Sequence, residues 1–320
     1  LSVLGYPAIF FCYKHYGGVI VGVSVLMNNF NMWLPIAPPM SLPDVQSWKP
    51  ESRFKLTRVG VKGIKKQIQI QRPSGISNMV ARMDLFVDLP ASRKGSDLSR
   101  NVEVIEEIVE QSAKKLSPSL ESLCSRTAES LLHRHEYATY SEVHAQADYF
   151  LERHSPTGRM TLEPYILRAK ATANREGVFR EYIGVEVVGM TVCPCALETI
   201  RETLGKHQNI THNQRNISNL MIEAKEGVDA DDLIEIAENS MSSPTYGILK
   251  RLDEEKVVIQ AYEHPKFVED VVRDMLKNVL KKYGHLSDDT IVIAMSESLE
   301  SIHKHNAFAE RHTTLGQLKK

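Results

Sequence analysis

The chain has 320 residues, enough for two domains of ordinary size that each bury a core. Its 39 lysines and arginines against 40 acidic residues leave a formal charge of -1, which excludes recruitment of nucleic acid or an anionic membrane by a global positive field. Any anionic ligand must be met by a local pocket. The 4 cysteines, Cys12, Cys124, Cys193 and Cys195, are too few for a disulfide scaffold and fit a reducing compartment, so a cytoplasmic protein is expected.

Residues 1–39 are apolar, nearly free of charge and punctuated by Gly and Pro. The longest uncharged run, Tyr16 to Pro43, is spoiled as a spanning helix by Gly17, Gly18, Gly22, three Asn and a run of prolines. Met40 then opens a normally polar lead-in over 40–54, and 1–39 is read as a leader outside the fold. "VKGIKKQIQIQR" (61–72) and "NMVARMDLFVDLP" (78–90) alternate polar and apolar residues across Pro73, Ser74 and Gly75, which predicts a hairpin. Residues 101–116 carry Ile105, Ile108 and Val109 at helical spacing. A second helix over 118–135 is entered through Ser117 and Pro118. Period two returns in 140–152 and 161–174, completing a ββααββ unit over 55–176.

The second unit, 177–320, joined near Asn174 to Gly177, repeats that order without a residue-level repeat. Strands are expected at 181–190, 217–225 and 289–297 and helices at 229–241 and 264–284, with a last segment running through "SIHKHNAFAE". The expected fold class is α+β, two tandem ββααββ units whose antiparallel sheets carry helices on one face.

Within the second unit, "GMTVCPCALE" places Cys193 and Cys195 on either side of Pro194, which cannot donate to a ladder and so ends the strand there. The thiols sit at a strand end, either as packed small apolar groups or as a reactive or metal-binding pair. Nineteen residues after Cys193 comes His212, in "THNQRN", read as a polar loop. A thiol and an imidazole are half of a zinc-type site. With no CxxC pair in the chain a structural finger is excluded, while a catalytic site with three protein ligands and an open position stays available. The third ligand would be a carboxylate or another His, and the acid-rich stretch 249–274 has several, although Glu269, after Pro265, also suits a helix N-terminus simply as a dipole partner. The histidine patches with His303 and His305 and with His133, His135 and His144 read as surface unless a companion ligand joins them.

Taken in order, "CPC", "HNQR", "LKRLDEE", "AYEHPKFVEDVVRD" and "ESIHKHNAFAE" resemble the type IB GTP cyclohydrolases, and the fuller "GMTVCPCA" with its long spacing to "HNQR" looks most like the archaeal enzymes that open methanopterin biosynthesis. The similarity runs from about Lys55 to Glu310. It implies a tunnelling fold whose barrels close by homo-oligomerisation, as a dimer or tetramer with active sites at subunit interfaces. By the same resemblance Cys193, His212 and Glu254 are metal ligands, Glu269 anchors the purine, Glu300 and His303 lie near substrate, and Cys195 is an active-site thiol beside the metal. Lys94 and Arg100, with Arg93, match a segment that would meet the triphosphate; a plain solvated loop is the alternative.

The chemistry suits these residue types. Opening the guanine imidazole ring adds water to C8, and a metal ion lowers the pKa of the water it binds. Fe(2+) is the metal the resemblance implies, with Zn(2+) or Mn(2+) compatible with the same donors. Glu269 can accept from guanine N1–H and its amine, and His303 suits proton transfer near neutral pH. The expected activity is a GTP cyclohydrolase releasing formate and giving 7,8-dihydroneopterin 2',3'-cyclic phosphate. A triphosphate product, a nitrile reductase of the same fold and a non-enzymatic metal module are the alternatives.

Overall fold

The computed structural model of the chain describes residues 10–16, 19–27, 30–35, 43–72, 75–114, 116–225 and 227–320, the first three segments as backbone. Two compact units result, Leu1–Ser47 and Trp48–Lys320. In the first, β1 (Phe10–Tyr16), β2 (Val19–Met27) and β3 (Phe30–Pro35) form an antiparallel meander. Met40, the expected start of the lead-in, lies outside the described residues.

The second unit is built on one 9-stranded sheet, whose main path uses β4 (Leu56–Arg72), β5 (Gly75–Leu89), β6 (Tyr140–His154), β7 (Met160–Asn174), β8 (Phe179–Val192), β9 (Asn213–Glu223), β11 (Ile291–Leu299) and β12 (Ala307–Thr314). The strands lie side by side in that order, every neighbour antiparallel, with the short β10 (Ser243–Pro244) on β8. The expected join at 174–177 is the tight turn between β7 and β8, and Ala173 pairs with Phe179 across it. The two halves therefore share a single sheet, where the sequence suggested one sheet each.

Helices α1 (Leu98–Lys114) and α2 (Leu120–Arg134) cover the first half. The α2 N-cap is Ser119, one residue beyond the expected Pro118, with its Oγ accepting from the Ser122 amide at 3.2 Å. Between β8 and β9 stands α3 (Pro194–Leu204), which the sequence reading left without an assignment. Next come α4 (Ala230–Ser240), α5 (Arg251–Glu263) and α6 (Val268–Tyr283), and a last turn, α7 (Leu315–Leu318), closes the chain. The ββααββ order thus occurs twice, with α3, β10 and α5 as insertions in the second copy.

Alternation on the strands explains the layering. On β5, Met79, Ala81, Met83, Leu85 and Val87 all face inward and meet Ile105 of α1 and Leu123 and Leu131 of α2 in the core. Leu220 and Ile222 of β9 and Val292 and Ala294 of β11 meet Val271, Met275 and Val279 of α6. Each such side chain contributes about 1.5–3 kcal/mol through burial. Further along β9 and β11 the same inward positions turn polar, as Ser218, Asn216, Gln214, Ser296 and Ser298, all buried. That change of residue type marks the end of the sheet where the site lies.

Candidate active site

The strand β8 ends at Val192 because Pro194 follows, and the same proline starts α3, where its missing N–H is an orphan in any case. Cys193 is the N-cap, its Sγ accepting from the Ala196 amide at 3.4 Å, and Cys195 lies exposed in the first turn. After α3 the chain returns to open β9 beside the end of β8, with Asn213 opposite Val192. "HNQR" is therefore the start of a strand, where a loop was expected. The Cys193 amide donates to the His212 carbonyl at 3.1 Å, and the Thr211 hydroxyl donates to the Cys193 carbonyl at 2.8 Å. Tyr262 of α5 donates to the Thr211 carbonyl at 3.0 Å and braces this junction.

Cys193, Cys195, His212, Glu269, Glu300 and His303 line one cleft of about 630 Å³. The Lys266 amide donates to the Val192 carbonyl at 3.0 Å, which docks the entry of α6 on the end of β8 and brings Glu269, in the first turn, to the cleft. Lys266 itself is committed, its Nζ donating to the Ser240 carbonyl at 3.0 Å and to Asp274 at 2.7 Å. The His212 ring stands nearly perpendicular to His303 with centroids 6.3 Å apart, and Glu300 Oε2 lies 4.0 Å from His212 Nδ1. His303 stacks on His305 at 5.3 Å. Phe267, Phe308 and Ile302 supply apolar wall, suited to a flat base. His305, read from sequence as surface, belongs to this cleft, and its proximity to the Glu300–His303 motif was the available signal. Gln214 also lines it, unremarked in the sequence because its neighbour His212 drew the attention.

Three expected residues are elsewhere. Glu254, on the first turn of α5, lines a separate cavity with Thr157, Leu249, Lys250, Arg251 and Leu252. Lys94 and Arg100 sit at the junction between β5 and α1, where the Lys94 ammonium is 5.9 Å from the Trp48 ring and Arg100 pairs with Asp97 and donates to the Arg134 carbonyl. Of the other histidines, His135 is a core residue rather than a surface one, bonded through Nε2 to Asn101 Oδ1 at 2.8 Å and through Nδ1 to the Tyr137 hydroxyl at 2.9 Å. His144 pairs with Glu142 at 2.5 Å.

A comparable cavity of about 650 Å³ on the opposite, helix-free side gathers Lys62, Arg82, Arg168 and Lys170. Asp84, Glu186 and Glu142 answer three of these cations, and no thiol lines it.

The thiol and imidazole of the cleft form a soft donor pair of the kind that takes Fe(2+) or Zn(2+). Among the described residues no three His, Cys, Asp or Glu side chains of one chain are disposed to hold an ion. The pair fits a metal whose ligand set is completed from outside this cleft.

A sheet-end cleft with a thiol, an imidazole, flanking carboxylates and apolar walls defines a hydrolase-type site for a flat heterocycle. The chain belongs to the type I GTP cyclohydrolase folE2 family, whose profile matches residues 42–309. The GTP cyclohydrolase MptA of Methanobrevibacter smithii is 42% identical over 302 residues, covering 87% of this chain and 97% of that protein. GTP cyclohydrolase MptA 1 of Methanocella arvoryzae is 42% identical over 303 residues, with 88% and 96% covered, and the MptA of Methanococcoides burtonii is 41% identical over 314 residues, with 90% and 98% covered. This chain is accordingly an enzyme acting on GTP, in a family of metal-dependent cyclohydrolases. That assignment decides against the nitrile-reductase and non-enzymatic readings. No helix among the described residues is long and apolar enough to cross a membrane.

Proposed function

We propose that the enzyme opens the guanine imidazole ring of GTP with Fe(2+), releases formate and gives 7,8-dihydroneopterin 2',3'-cyclic phosphate, the entry to tetrahydromethanopterin synthesis. The observation that carries this reading is the gathering of Cys193, His212, Glu269, Glu300 and His303 in one cleft from four separate stretches of chain. The names of the MptA relatives support the methanopterin assignment.

Cys193 and His212 hold the metal from this chain, and Glu254 of a second copy completes the set. A bound divalent ion supplies activation of the water that adds to C8. Glu269 accepts two hydrogen bonds, from guanine N1–H and the exocyclic amine, and so selects guanine over adenine. Phe267 and Phe308 pack against the base and exclude water from its faces. His303 moves a proton at the ring nitrogen released as the imidazole ring opens, with Glu300 beside it. Cys195 acts next to the ion without being a permanent ligand. Lys94 and Arg100 reach the phosphates of a nucleotide held by a neighbouring copy, so the working enzyme is a homo-oligomer, a dimer or tetramer with sites between subunits.

Anaerobic incubation with GTP and Fe(2+), following formate, pterin fluorescence and released phosphate together, tests the proposal. Formate and a fluorescent pterin after oxidation, with pyrophosphate freed, are expected. A pterin that keeps all three phosphates would replace the cyclic product by the triphosphate, and an equally active iron-free enzyme would remove the metal from the scheme.

A further inference from the structure

Gln214 sits at an inward-facing position of β9 where the alternation that supplies Leu220 and Ile222 would accept an aliphatic residue. It is only 8% exposed, and a buried amide costs stability unless both its ends are bonded. Both are bonded here. Gln214 Oε1 lies 3.0 Å from His212 Nδ1, and Gln214 Nε2 donates to Thr191 Oγ1 at 3.2 Å. Thr191 is in turn 3.0 Å from Ser298 Oγ, which accepts from Asn216 Nδ2 at 3.0 Å. Ser218 closes the run by donating to Asn216 Oδ1 at 2.8 Å. Thr191, Asn216 and Ser218 are fully buried and Ser298 nearly so.

We infer that Gln214 is a positioning residue for His212, and that the buried ladder Thr191–Ser298–Asn216–Ser218 exists to hold its amide with Oε1 toward the imidazole. With the Gln214 amino group committed to Thr191, the oxygen faces Nδ1, so Nδ1 carries the hydrogen and Nε2 presents its lone pair. The other oxygens near the ring lie on the same nitrogen: Ser301 Oγ at 3.4 Å and Glu300 Oε2 at 4.0 Å. Gln214 is the closest of the three. An imidazole fixed by a hydrogen bond on its far nitrogen is the arrangement that makes histidine a good metal donor, and loss of such a partner commonly costs 10–100-fold in metal affinity, a rough range. The inference rests on reading His212 as a metal ligand, but the tautomer of the metal-free protein reports on Gln214 separately from that reading.

The experiment is ¹⁵N NMR of the full-length, histidine-labelled, metal-free protein at a pH where imidazole is neutral, with the His212 signal assigned by its loss in His212→Asn. Competitive Zn(2+) titration of the wild type, Gln214→Glu and Gln214→Leu accompanies it. The wild type is expected to show Nδ1–H. Gln214→Glu, which keeps an acceptor, should retain the tautomer and bind Zn(2+) within a few-fold of wild type. Gln214→Leu should mix the tautomers and bind roughly 10–100-fold more weakly. An Nε2–H tautomer in the wild type, or unchanged affinity in a folded Gln214→Leu, overturns the inference. Should the leucine variant fail to fold, the wild-type tautomer decides alone. Wild-type Nδ1–H with no Zn(2+) bound by any form would leave Gln214 in place and remove the metal reading instead.

Discussion

The amide of Cys193 donates to the carbonyl of His212 at 3.1 Å, which makes the two residues neighbours across the last rung between β8 and β9. Helix α3 is the excursion that separates them in sequence, and the ladder erases that separation. Cys195, one turn into α3, follows the helix out to solvent. The two thiols thus have different surroundings despite being two residues apart.

From that difference, Cys193→Ala should lose both bound iron and formate release, while Cys195→Ala should keep its iron and lose activity. Both variants, purified anaerobically and reconstituted with Fe(2+), are compared for iron per subunit and for product. Equal iron loss would establish a site with two thiolates.

Glu269 enters the cleft from the first turn of α6, an element that carries neither Cys193 nor His212. Glu269→Ala should therefore keep its metal and lose GTP. Two hydrogen bonds to a charged carboxylate are worth about 3–6 kcal/mol together, which corresponds to roughly 10²–10⁴-fold weaker binding. Calorimetry with GTP on the metal-loaded variant measures it, and a metal-free variant would move Glu269 into the ligand set.

The strands and the long helices were legible because their apolar residues repeat with clear periods: Met79 to Val87 at two, and Val271 to Val279 at three and four. Helix α3 was not, because a proline after a strand was taken only as an end, whereas Pro194 both ends β8 and begins a helix. Helix α5 was hidden for another reason. Only Asp253, Val257 and Ala261 of it are buried, so it shows no apolar face. At the site, motif order brought out the residues of the cleft but not Gln214, whose role depends on Thr191 and Ser298, residues distant in sequence that only the sheet register brings beside it. Nor does motif order say which copy of the chain a ligand comes from, as Glu254 illustrates.

His135 gives the fold a pH dependence. Burial first, and then the Arg100 guanidinium, lower its pKa from 6.5 to about 4. The unfolded chain binds a proton there below 6.5 while the folded protein stays neutral down to about 4, so this part of the stability is complete above 6.5 and is lost as pH falls through that window. The loss amounts to about 3 kcal/mol at most. Urea unfolding of the wild type and His135→Gln at several pH values across the window measures it: the wild type should lose stability more steeply, and parallel curves would assign the dependence to other groups.

The family match begins at residue 42 and the compact unit at Trp48, so a chain running from Met40 to Lys320 should fold, assemble and turn over GTP. Size-exclusion chromatography and formate release are the readouts. An insoluble or inactive product beside an active full-length chain would give residues 1–39 a structural role.

Glu254 and Cys193 line different cavities of the same chain, yet both match the ligand pattern of the family. A site assembled from two copies reconciles these facts, and it carries a genetic consequence. Cys193→Ala removes the thiol from every site built on that subunit, and Glu254→Ala removes the carboxylate that a subunit lends to its neighbour. Each variant alone should be inactive. In a mixed oligomer, a Glu254→Ala subunit still contributes Cys193 and His212, and an adjoining Cys193→Ala subunit still contributes Glu254, so some sites are complete. The two variants, each inactive, should therefore regain part of the wild-type formate release when they are co-expressed or unfolded and refolded together. Bound iron should rise in the same proportion. If the mixture stays as inactive as its parents although mass spectrometry shows mixed oligomers, then Glu254 serves its own chain or no metal at all, and the third donor must be sought among the carboxylates of the cleft, with Glu300 the first to substitute.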